Sequence, residues 1–132
     1  LRLLLDTHIA IWAALAPDTL TQAERHAMTN AHAPLVLSAV SVWELRLKWH
    51  RFHVSGNRKG VVDPGSIVAF AKAMEWTFLP LTAHHATTGL IQPLEHKDPF
   101  DELLLVQAQE EGMLVLTRDA KLAWHGCSVH CP

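Results

Sequence analysis

The chain has 132 residues, enough for one well-formed core and too few for two ordinary domains, so residues 1–132 are expected to form a single domain. Apolar residues make up 49% and charged residues 18%, a globular composition without a disordered tail, and no apolar run is long enough to cross a bilayer. The net charge of -2 does not mark a nucleic-acid binder, and the absence of a signal-like opening makes a cytoplasmic protein the expectation. The sequence opens on Leu1 rather than Met, so a residue or two ahead of it is expected to have been trimmed or left out, and nothing about function follows from it.

Leu1 to Leu5 reads as a short buried strand, followed through Asp6-Thr7-His8 by IAIWAAL at helical spacing. Pro17 closes that helix. Thr21 and Glu24 form a capping box that opens a second helix reaching about Ala31. After Pro34, LVLS reads as a second strand. Ser41 and Glu44 read as another capping box, leading into a helix to about His50 with Val42, Leu45 and Trp49 on one stripe.

Residues 52–64, with Gly56, Asn57, Gly60, Asp63 and Pro64, read as the one substantial loop. A helix over 66–75, a third strand in TFLPL and a helix from Thr82 to Pro93 follow, with His84 and His85 expected on its surface. Asp98 or Pro99 opens a long helix carrying Leu104, Leu105, Ala108 and Met113, and Gly112 sits where a helix end favours a left-handed residue. MLVLT is the fourth strand. Strands alternating with helices over short connections imply a three-layer α/β/α domain around a mainly parallel sheet of four or five strands.

Between Leu45 and Val62 there is no acid, while Arg46, Lys48, Arg51, Arg58 and Lys59 alternate with Trp49, His50, Phe52 and His53. Cations interleaved with rings can meet RNA phosphates and bases, and a solvated helix face with a basic loop has the same pattern. Cys127 and Cys131, near His125 and His130, have no second pair elsewhere to close a zinc site and read as part of an ordinary C-terminal strand.

The acids are the sharper signal. Asp6, Glu44, Asp101 and Asp119 each fall where a strand ends or a helix begins, and in an open parallel sheet such positions line one crevice. Carboxylates gathered there repel one another unless a divalent cation holds them ionised, and oxygen-only donors select Mg²⁺ or Mn²⁺. Each acid also has a local explanation. Asp6 and Asp119 can cap helices, Glu44 can complete the Ser41 box, and Asp98 and Asp101 share the acidic first turn of one helix.

LLLDTHIAIW, SAVSVWELRLK, HKDPFDELLLVQA and LVLTRDAKL, in this order, resemble the four acidic blocks of the PIN-domain nucleases, in particular the VapC-type toxins of bacterial toxin–antitoxin pairs. The resemblance runs from Leu1 to about Trp124. It implies metal-binding acids at Asp6, Glu44, Asp101 and Asp119, with Asp98 in the same motif and less directly involved. Thr7, Ser41 and Thr117 flank the acids and are candidates for holding them or their waters. Glu102 stands where many relatives carry a base, which adds negative charge near the site.

The resemblance further implies hydrolysis of RNA phosphodiesters by metal-activated water, a small antitoxin as inhibitor and a homodimer. Two other classes remain open from the residues. One is a phosphohydrolase with Asp6 as nucleophile, although His8 stands where that pattern needs a second Asp; the other is a catalytically idle PIN-like binding protein whose acids only cap helices.

Overall fold

The computed structural model describes every residue except 1, 32, 59, 61 and 132. Five short strands, β1 (Leu3–Leu5), β2 (Val36–Ser38), β3 (Thr77–Leu79), β4 (Leu114–Leu116) and β5 (Ser128–Val129), form an all-parallel sheet in the order β3-β2-β1-β4-β5. The helices are α1 (Thr7–Leu15), α2 (Gln22–Thr29), α3 (Ala39–Trp49), α4 (Pro64–Ala73), α5 (Ala83–Thr87), α6 (Pro99–Glu111) and α7 (Ala120–Ala123), with a 3₁₀ turn at Pro17–Thr19. None among the described residues is long and apolar enough to cross a membrane.

Side chains alternate across a strand, and here the alternation divides the core. Leu3, Leu5, Leu37 and Leu116 face one layer with Ile9, Leu45, Ile67 and Ala71. Leu4, Val36 and Val115 face the other, against Val40, Leu104, Leu105 and Leu122. Both faces of the sheet are therefore buried, as the near-continuous apolar strands require, and the domain has the expected three layers.

Four sequence expectations change. The first is the capping box at Ser41: the cap of α3 lies three residues earlier, at Ser38, which accepts the Val40 N–H at 3.0 Å, so Ser41 and Glu44 lie inside the helix. The second is the helix expected over 66–75, which starts at Pro64 because Asp63 caps it through the Gly65 N–H.

Third, the helix from Thr82 stops at Thr87 rather than at Pro93, where the Thr87 and Thr88 hydroxyls donate back to the carbonyls of Ala83 and His84 and so satisfy its last turn. Fourth, His84 is exposed but His85 is buried. The His85 Nδ1 accepts the Thr82 N–H at 3.1 Å, which leaves Nε2 to donate to Glu111 at 3.2 Å.

Candidate active site

The strand order reverses direction between β1 and β4, and this switch point is where open parallel sheets form a ligand crevice. α1 follows β1, α3 follows β2 and α7 follows β4, so all three begin at the carboxyl end of the sheet. α6 runs back along the sheet before β4 and also presents its first turn there. The positive ends of these helix dipoles thus converge on one crevice, which favours negative charge.

Asp6 sits at the N-cap position of α1 yet makes no side-chain cap bond. It is nearly buried, and its Oδ2 accepts the Thr117 hydroxyl at 2.7 Å, while Thr117 Oγ1 accepts the Asp119 N–H at 3.0 Å. Burial pushes the Asp6 carboxyl above its ordinary range, further than the Thr117 bond draws it down, and the Asp119 charge adds to the rise. Asp101 behaves alike. Burial raises it foremost, the charges of Asp98 and Asp6 add to that, and the bond from His96 Nε2 at 2.9 Å opposes it.

Glu44 is buried in α3 with both oxygens engaged. The Thr7 hydroxyl stands 2.9 Å from Glu44 Oε1 and 2.9 Å from Ser41 Oγ; having one proton, Thr7 gives it to the carboxylate and accepts from Ser41. Lys48 Nζ lies 3.0 Å from Glu44 Oε2. Asp98 and Asp119 do perform the local task available to them. Asp98 accepts the N–H groups of Phe100 and Asp101, and Asp119 that of Lys121. Asp119 nonetheless lines an open cleft of about 280 Å³ together with Asp6, His8, Trp12 and Arg118.

The PIN domain family profile matches residues 3–124. The chain belongs to the PIN domain family. Its fold is also similar to the crystal structure of VapBC2 from Rickettsia felis bound to a DNA fragment from their promoter, with a TM-score of 0.61, 15% identity, and coverage of 98% of this chain and 97% of that one. No curated protein is significantly similar to it.

In this PIN domain the charges of Asp6, Asp98, Asp101 and Asp119 act on one another, whereas Glu44 is tied to Lys48. Among the described residues no three His, Cys, Asp or Glu side chains converge as a ready ligand set. The donor chemistry still fits a hard divalent cation. All the donors are carboxylate oxygens, and two of them are held above their ordinary range by burial, with neighbouring acids adding to the rise.

The basic segment divides. Lys48 borders a small cleft beside Thr7 and His8, Arg46 faces a separate groove, and Arg51 is exposed. Arg58 is held over the rings of Trp49 and Phe52, at 4.1 and 4.7 Å, and Lys59 lies outside the described residues. His8, Trp12, His96 and Arg118 were not singled out from the sequence. All but Trp12 lie within five residues of a block acid, and Trp12 repeats His8 one turn along α1, which is the signal that could have found them.

Proposed function

We propose that this PIN domain is a metal-dependent endoribonuclease and the toxin of a toxin–antitoxin pair. The observation that carries the reading is Asp6, a buried carboxylate at the switch point that declines the cap bond open to it and faces other acids instead. Family membership supports a nuclease, and the likeness to a VapBC complex supports the toxin role and a small antitoxin partner.

Asp6, Glu44, Asp101 and Asp119 would hold Mg²⁺ or Mn²⁺, in competition with Lys48 for Glu44 and with His96 for Asp101. Bound there, such an ion supplies activation of water and stabilisation of charge at a phosphodiester. The chain's own part is positional. Thr117 fixes the rotamer of Asp6 and ties it to the turn that carries Asp119, while the Thr7–Ser41 pair fixes Glu44. Lys48, Arg51 and Arg46 would supply positive charge for the RNA backbone, with Arg58 and Lys59 completing the basic stretch of the sequence.

A second feature supports a protein partner. α3, α4 and the end of β3 enclose an open groove of about 750 Å³ walled by Val42, Trp43, Val68 and Phe78, and its charged lining residues, Arg46 and Lys72, are both cations. A homodimer in the cytoplasm completes the proposal. Purified chain should cleave RNA with Mn²⁺ or Mg²⁺, and co-expression with a small protein encoded beside it should restore growth and co-purify. Cleavage that persists in excess EDTA would end the metal mechanism.

A further inference from the structure

The cleft beside Asp6 and Asp119 is walled on its other sides by flat groups. His8 and Trp12 project one turn apart from α1, their ring centroids 5.9 Å apart and their planes tilted by 42°. Arg118, leaving the end of β4, lays its guanidinium over the Trp12 ring at 4.2 Å from the centroid. With the two acids these three residues complete the lining of the cleft.

Arg118 is poorly arranged to clamp a phosphate. Its Nε and Nη2 both donate to the carboxylate of the fully buried Glu24, and Nη2 also donates to the Thr19 carbonyl at 2.8 Å. Its charge is cancelled from inside the protein and its plane is fixed. A guanidinium held in this way offers a rigid flat surface to a ligand, and planar cations and aromatic rings are what unpaired bases stack upon.

We propose that this cleft is a nucleobase subsite, in which an unpaired RNA base next to the scissile phosphate stacks against the wall formed by Arg118, Trp12 and His8. Because Asp6 and Asp119 line the same cleft, a base seated there brings its flanking phosphate to the acids, and the wall selects unpaired over paired RNA. The inference rests on the ribonuclease reading, and its test separates the two.

The test measures binding of the Asp6→Asn protein to a short RNA spanning a mapped cleavage site, with single abasic nucleotides moved along the strand. One position beside the cut should weaken binding by about tenfold when its base is missing, as expected for loss of one stacked base. In a Trp12→Leu background that same abasic substitution should cost nothing further, while Trp12→Phe should retain most of the effect. His8→Ala, at an exposed position, should reduce the effect at the same nucleotide and covers the case in which Trp12→Leu fails to fold. An abasic penalty that persists unchanged in Trp12→Leu or in His8→Ala, or a loss spread evenly over all positions, overturns the subsite and leaves the nuclease standing. Absence of any RNA binding or cleavage overturns both.

Discussion

Glu24 and Asp6 are carboxyl groups of almost equal burial, 0% and 6% exposed, yet one is held below its ordinary range and the other above it. For Glu24, burial alone would raise the pKa, but bonds from Arg118 and from the Thr21 backbone N–H overcome it. For Asp6 burial again raises the pKa, and the Thr117 hydroxyl, the nearby His8 and the Thr7 N–H do not overcome it, with the Asp119 charge adding to the rise. Loss of solvent is common to the two sites, so the partner decides the sign. The α2 carboxylate is a completed ion pair that fastens α2 to the turn after β4, whereas the switch-point carboxylate forms no side-chain ion pair among the described residues. Here the direction of the shift, and not the burial, sets the structural acid apart from the candidate ligand.

The two carboxylates should differ most in their effect on activity. Asp6→Asn removes the charge of the proposed ligand at constant size and should lower RNA cleavage by roughly a hundredfold or more, as loss of a preorganised electrostatic group does. Melting in EDTA should stay level or rise, because a repelling buried carboxylate has gone. Wild-type protein should be stabilised by Mn²⁺, by about 2.7 kcal/mol at a hundredfold excess over the dissociation constant, and the Asp6→Asn protein should not. Equal Mn²⁺ stabilisation of the two proteins would remove Asp6 from the ligand set.

Arg118→Met attacks the other side. It strands the Glu24 charge and should cost about 3 kcal/mol in denaturant unfolding, much of it recovered when Glu24→Gln is added. Additive losses in the double variant would show that Arg118 does not compensate Glu24.

Glu44→Gln sharpens the contrast at a third carboxylate. Since α3 is capped by Ser38, no capping contribution is at stake, and the loss of the pair with half-exposed Lys48 should change stability by less than about 1 kcal/mol. Turnover and Mn²⁺ affinity should fall sharply. Unchanged turnover would leave a site of three aspartates.

The smallest effect is in the pH profile of stability. Glu24, being depressed, contributes stability that is present above the ordinary glutamate value and is lost as pH falls through its lowered one. Asp6 and Asp101, being raised, cost stability as pH climbs from the ordinary aspartate value through theirs. Thermal melts across pH should therefore lose part of the acid-side decline in Glu24→Gln and part of the decline above it in Asp6→Asn. Parallel profiles for the two variants would contradict the opposite signs.

Local chemistry made much of this legible beforehand. The Thr21–Glu24 box forms with both reciprocal bonds, Asp98 and Pro99 open α6, and Gly112 closes it at a φ of 68°. The same local logic misplaced the start of α3, because Ser38 and Ser41 are both acceptable caps and only the register of β2 against β1 and β3 leaves Ser38 at the strand end. Two adjacent histidines on a short helix do not announce which of them turns inward, and packing against α6 buries His85 while His84 stays exposed.

The sequence by itself determined the three layers, since apolar triplets separated by amphipathic helices can bury their surface only as a parallel sheet covered on both faces. It also placed Asp6, Asp98 and Asp119 at the starts of helices, whereas Glu44 proved to lie inside α3. Tertiary structure alone decided which acids are free. Thr117 lies 111 residues from the Asp6 it holds, and Arg118 lies 94 residues from the Glu24 it neutralises. The sign of a carboxylate's pKa shift is set by such partners within a few ångströms, and only the closed sheet brings them into contact.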